Sequence, residues 1–152
     1  MEVHTDPGPL IQVSDLFSFL YGRWSVHRKI SDHRLNTSGS FNGQATYSGD
    51  KETLQYLEEG QLRFADYSDT AFRRYDFVFP NRATANVFFG DGRAFHNLDL
   101  TTGQWTAHHE CGEDIYRGLF RATSQSSYEA EWGIKGPNKD LVLFTNYRRS
   151  DT

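Results

Sequence analysis

The sequence predicts an all-β fold: an antiparallel barrel of about eight to ten strands with one short helix near the N-terminus. Three observations predict it. Apolar and polar residues alternate with period two from Trp24 onward, the pattern of strands with one buried face. Turn signals recur roughly every ten residues, among them Pro80-Asn81-Arg82, Gly90-Asp91-Gly92, Thr101-Thr102-Gly103, Cys111-Gly112-Glu113 and Gly136-Pro137-Asn138. Aromatic residues make up 15% of the 152, with 12 Phe, 8 Tyr and 3 Trp, so rings that suit a pleated surface carry the apolar bulk.

Residues 1–13 hold two of the four prolines and are expected to form a flexible lead-in, with a single barrel domain over 14–150. Ser14-Asp15-Leu16-Phe17-Ser18-Phe19-Leu20 carries the best helical signal. Ser14 is the expected N-cap, and Gly22 ends the helix, which should plug or flank one end of the barrel. Trp24, Val26, Arg28 and Ile30 then share one face of a first strand, and Phe41, Gly43, Ala45 and Tyr47 one face of a second. Leu54, Tyr56 and Glu58 follow, then Leu62 and Phe64 after Gly60. Residues 70–79 place Ala71, Arg73, Tyr75, Phe77 and Phe79 together. Strands over 83–89, 93–100, 104–110, 114–123, 127–135 and 140–149 complete the set. No stretch between them is long enough for the helix of a parallel crossover.

The net charge of −4 is made of well-mixed signs, which gives a nucleic-acid backbone nothing to grip. One cysteine, Cys111, excludes an internal disulfide and any multi-cysteine zinc site; beside Gly112 it reads as a small turn residue. No apolar stretch approaches membrane-spanning length, and the N-terminus lacks a secretory pattern. The expected setting is therefore the cytoplasm, without membrane or nucleic-acid partners. A homodimer is compatible with the sequence.

Gly22-Arg23-Trp24, reached through a short helix, resembles the Gly-x-Trp opening of lipocalins and the wider calycin group. That resemblance implies a tryptophan closing the barrel base against an arginine of the last strand, here Arg148 or Arg149. Absence of a cysteine pair sets the chain apart from secreted lipocalins. A longer set of motifs is similar to an uncharacterised family of small bacterial and eukaryotic domains. It comprises Arg73-Arg74-Tyr75, Asp91-Gly92-Arg93-x-Phe95-His96-x-Leu98-Asp99-Leu100, Cys111-Gly112 with Asp114-x-Tyr116-x-Gly118, and Gly136-Pro137-x-Lys139. This second resemblance implies chain limits and fold, and no particular reaction.

A barrel of this size leaves room for one small ligand. Charged residues on faces otherwise filled by rings must be paired or meet something polar inside. Arg28, Glu58 and Arg73 are such residues. They imply either an internal ion pair or a lumen that holds an anion, which arginine can grip with two hydrogen bonds. Tyr47, Tyr56, Phe88, Tyr116 and Trp132, with Phe41, are the expected ring contacts. His96 and Asp99 lie on opposite faces of one strand, and adjacent His108 and His109 on opposite faces of the next. A hairpin at 101–103 would bring His96 near His108 or His109, with cross-strand Cβ atoms about 5 Å apart. Imidazole beside carboxylate is the minimal kit for acid–base chemistry. His96, Asp99, Tyr75 and His108 are therefore the catalytic candidates.

No spacing of these residues makes a metal site, and no cofactor is called for. The expected function is binding of a small apolar or aromatic, anionic molecule, either held or turned over by a cofactor-free isomerase, cyclase or lyase. A haem-binding barrel, a non-catalytic carrier and a protein-interaction module remain alternatives.

Overall fold

A computed structural model describes residues 8–150 of the chain. One helix, α1 (Leu16–Leu20), precedes ten strands. They are β1 (Gly22–Asp32), β2 (Thr37–Asp50), β3 (Thr53–Phe64), β4 (Tyr67–Val78), β5 (Thr84–Phe89), β6 (Ala94–Asp99), β7 (Gln104–Cys111), β8 (Asp114–Ser124), β9 (Ser127–Gly136) and β10 (Lys139–Arg149). They form one antiparallel sheet in the order β6-β5-β4-β3-β2-β1-β10-β9-β8-β7. Curled round, it makes a nearly closed barrel of the lipocalin-like, calycin type. The first and last strands pair in its middle, Trp24 opposite Arg149. Its two edges, β6 and β7, meet at a seam where Trp105 Nε1 donates to the Asn97 carbonyl at 2.8 Å.

The alternation foreseen in the sequence holds along most strands, with two instructive differences. The two apolar runs on either side of Gly60 belong to one strand, β3, with Gly60 opposite Gly43 of β2. A Cβ at Gly43 would stand 2.1 Å from the Glu59 carbonyl oxygen, and one at Gly60 would stand 2.3 Å from that of Asn42. The pair therefore marks where the long β2–β3 hairpin bends so sharply that only glycine fits. The second difference lies at the N-cap of α1, which is Asp15 rather than Ser14. Its Oδ1 accepts from the Ser18 amide at 3.0 Å, and both its oxygens receive Arg82 at 3.1 Å. A carboxylate there satisfies an orphan amide and an arginine together, which a serine hydroxyl does less well.

The helix closes one end of the barrel. Leu16 and Leu20 are wholly buried in the same core cluster as Trp24, Val26, Leu98 and Leu100. Trp24 Nε1 donates to the Leu20 carbonyl at 2.8 Å, and the Arg149 guanidinium lies 4.4 Å over the indole centroid. Arg149 also donates to the carbonyls of Tyr21, at 2.8 Å, and Phe19. It thus serves the acceptors left open where the helix ends. Between Tyr21 and Trp24 the chain turns through Gly22 at φ +114°, and a Cβ there would meet Arg149 Nη1 at 3.2 Å. Of the lead-in, residues 1–7 lie outside the described residues. Ile11 and Val13 donate to the carbonyls of Ala122 and Leu100, which ties this segment across the lower end of the seam.

Candidate functional site

Above the base, the inward faces of β1, β3, β4 and β10 meet at a buried polar cluster. Arg28 Nη1 and Nη2 donate to Glu58 Oε2 and Oε1 at 2.7 and 2.9 Å, and its Nε donates to Thr145 Oγ1 at 2.8 Å. Tyr56 donates its hydroxyl to Glu58 and lies 3.2 Å from the Tyr147 hydroxyl. Tyr47 and Tyr128 share a hydrogen bond of 2.7 Å. Among the described residues no buried side-chain nitrogen or oxygen lacks a partner. Burial alone would raise the Glu58 pKa, but the hydrogen bonds and charge of Arg28, helped by Arg73 and Tyr56, hold it below its ordinary value. Burial would likewise lower that of Arg28, yet Glu58 drives it upward. The pair is ionised. Burial pushes Tyr47, Tyr56 and Tyr128 well above the usual phenol range, and Tyr75 and Tyr147 upward as well.

Arg73 stands at the rim of this cluster. Its Nε is 3.9 Å from Glu58 Oε2, and its side chain is 40% exposed where Glu58 is 2%. Both oxygens of Glu58 already face Arg28, so the second arginine adds a positive charge that the carboxylate does not cancel. A narrow cavity of about 50 Å³ runs inward from here past Arg28, Tyr56, His96 and Tyr147. Outward it widens into a pocket of about 320 Å³. Arg73, Tyr75, Phe95, Trp132 and Leu143 line both, so the two adjoin as inner and outer parts of one recess. The outer volume falls within the range of small-molecule sites; the inner one alone does not.

His96 enters the cavity through an irregularity in the sheet. Val87 pairs with His96 while its neighbour Phe88 pairs with Ala94, leaving Phe95 as an extra residue of β6. Such a bulge turns two successive side chains to one side, and both Phe95 and His96 line the cavity. The His96 ring stacks on Phe120, centroids 5.4 Å apart, and meets Trp132 edge-on at 5.1 Å. Burial pushes its pKa down to about 4, with a further contribution from His109. The imidazole is neutral.

Of the expected site residues, Arg28, Tyr47, Tyr56, Arg73, Tyr75, His96 and Trp132 line the inner cavity, with Glu58 bonded behind them, and Tyr116 lines the outer pocket. Asp99 is not among them. Its Oδ1 accepts from the amide and hydroxyl of Thr101, at 2.9 and 2.7 Å, and so fixes the β6–β7 turn. Neither is His108, whose Nε2 lies 3.0 Å from exposed Glu110 on the outer face. The inward member of that pair is His109, packed on Phe89, Phe95 and Tyr116. Phe88 yields in the same way to Phe89, because the ladder places Phe89 opposite inward-facing Tyr75. Thr145 and Tyr147 also line the inner cavity and are not among the residues expected from the sequence. Counting back by twos from the base arginine, Arg149, would have found both.

Fold and site together define a lipocalin-like barrel with a cationic, ring-lined recess. The chain belongs to DUF6314, a family of unknown function, over residues 20–149. No curated protein matches it in sequence. Among solved structures it is similar to the S-type phycobiliprotein lyase CpeS of Guillardia theta, with a TM-score of 0.67 at 9% identity over 93% of this chain and 94% of that one. A protein of unknown function from the DUF3598 family of Nostoc punctiforme gives 0.60 at 10% identity over 93% of this chain, which spans 50% of that one. A barrel solved bound to DFHBI, EF1p2_mFAP2b, gives 0.51 at 12% identity, covering 90% and 98%. At these identities the likeness is one of fold.

Proposed function

We propose that this barrel binds a small apolar or aromatic anion, with the charged group at Arg73 and the apolar body among Tyr75, Phe95 and Trp132. One observation carries the reading. Glu58 spends both oxygens on Arg28, His96 is neutral, and Arg73 brings to the recess a positive charge that Glu58 does not cancel, beside apolar walls; Arg74, at the same outer pocket, lies 3.9 Å from Asp76. A monoanion with a flat apolar body complements that in both charge and shape. A similar barrel was solved bound to DFHBI, which supports the idea that this architecture accommodates a small molecule.

Holding is favoured over turnover. A general acid or base works best with its pKa near the operating pH. Here His96 is lowered, Glu58 is lowered and the buried phenols are raised, so these groups move away from neutrality. An isomerase, cyclase or lyase of the acid–base kind would need the opposite tuning. The test is a fluorescence titration with anilinonaphthalene sulfonate and with uncharged phenylnaphthylamine, which shares its ring system. The sulfonate should bind saturably at one site, about tenfold or more tighter than the neutral compound, and Arg73→Leu should remove the difference. Equal affinity for the two compounds, or an unaltered preference in Arg73→Leu, overturns the proposal.

A further inference from the structure

Asn97 decides what His96 can offer a ligand. The carbonyl oxygen of Asn97 lies 2.7 Å from His96 Nδ1 and 2.8 Å from Trp105 Nε1. A carbonyl only accepts, so Nδ1 must carry the ring hydrogen, and with two donors that oxygen's lone pairs are both in use. The neutral ring then has its hydrogen on Nδ1 and a bare lone pair on Nε2. The ring packs against Phe95, Phe120 and Trp132, and a flip about χ2 would put Cδ2 in place of Nδ1 and lose the bond to the Asn97 carbonyl. Among the described residues none donates to Nε2, and the ring lines the inner cavity. Depth matters as well. His96 is level with Val87, and through it with Phe77 of β4. Phe77 lies four residues along that strand from Arg73, about 13 Å deeper toward the base.

We infer that His96 Nε2 is the acceptor that selects the ligand, and that the ligand is an aryl anion carrying a hydroxyl or N–H group at the end opposite its charge. This rests on the reading that the recess binds an anion at Arg73. The anion stays at the rim, and the donor enters first and bonds to Nε2. A ligand presenting an ether, ketone or second carboxylate at that depth would set acceptor against acceptor and leave both unpaired.

The test uses three naphthoates: the unsubstituted acid, the acid with a hydroxyl at the far end of the ring system, and the methyl ether of the latter. Calorimetric titration should rank the hydroxyl compound about tenfold tighter than the other two, the worth of one well-made hydrogen bond. In His96→Phe, which keeps an aromatic ring at that place, the hydroxyl compound should lose its advantage over the unsubstituted acid, whatever change in affinity the two share. An advantage that survives in His96→Phe, or no advantage in a wild-type protein that binds naphthoate, overturns the inference and leaves the anion reading standing. Failure of all three to bind removes both. Nitrogen NMR of the free protein supplies an independent check, since Nδ1 should be protonated and Nε2 bare at neutral pH. The opposite tautomer overturns the inference whatever binds.

Discussion

Arg28 and Glu58 meet end-on inside the barrel, two hydrogen bonds of 2.7 and 2.9 Å joining one guanidinium to one carboxylate. Both side chains are almost wholly buried, at 5% and 2% exposure. Removing either partner strands a charge in a medium that solvates it poorly. Arg28→Met or Glu58→Leu alone should cost about 3–5 kcal/mol in urea unfolding. The double variant should recover most of that loss, because no buried charge remains and Tyr56 keeps its contact with the Tyr147 hydroxyl. Additive losses in the double variant would show that packing, not charge, holds this region.

Arg73 should behave differently. Its 3.9 Å approach to Glu58 and its 40% exposure make a pair worth about 1 kcal/mol or less. Arg73→Leu is expected to leave the melting temperature nearly unchanged while removing the anionic probe's advantage over its neutral counterpart. Unfolding of that variant would mean that Arg73 is a structural partner of Glu58 and not a ligand contact.

Trp24 sets the stability of the closed end. It is fully buried, bonded to the Leu20 carbonyl and covered by Arg149. Trp24→Ala should lower unfolding free energy by about 3–5 kcal/mol. A loss below about 1 kcal/mol in a denaturant titration would contradict that role.

Acid should find His96. An unfolded histidine takes a proton near pH 6.5, whereas this one takes it only near pH 4, because burial disfavours the imidazolium. Between those values the unfolded chain binds more protons, so stability falls as pH falls, by up to about 3 kcal/mol once both pKa values are passed. Above pH 6.5 the group contributes no slope. In His96→Phe the decline between pH 6.5 and 4 should flatten, and a decline as steep as in the wild type would assign it to other groups.

Much of the fold was legible because a strand with one wet face writes its geometry into every second residue. The inward set of β1, Trp24 to Ile30, could be read straight from the chain, and so could Arg28, Glu58 and Arg73 as charges on apolar faces. What escaped were the places where the period breaks. The extra residue Phe95 puts two neighbours on one side, and no local pattern announces a bulge. The choice between His108 and His109, or Phe88 and Phe89, hangs on a single step of register, which the partner strand decides. Gly60 separates two apolar runs in the sequence, and a glycine there has the same signal whether it turns the chain or, as here, allows a close approach inside a strand.

The order of strands bears on how the chain assembles. Every neighbour in the sheet is also a neighbour in sequence, except at β1 and β10. The entropic cost of joining distant segments is therefore concentrated in one ladder, where Ser25 and Arg148 stand 123 residues apart. The seam between β6 and β7 is the natural cut. A circular permutant opened at the 101–103 turn, with the end of β10 joined to the segment before α1, would thread the same sheet in sequence order from one edge to the other. The pairing of β1 with β10 would then become a local contact.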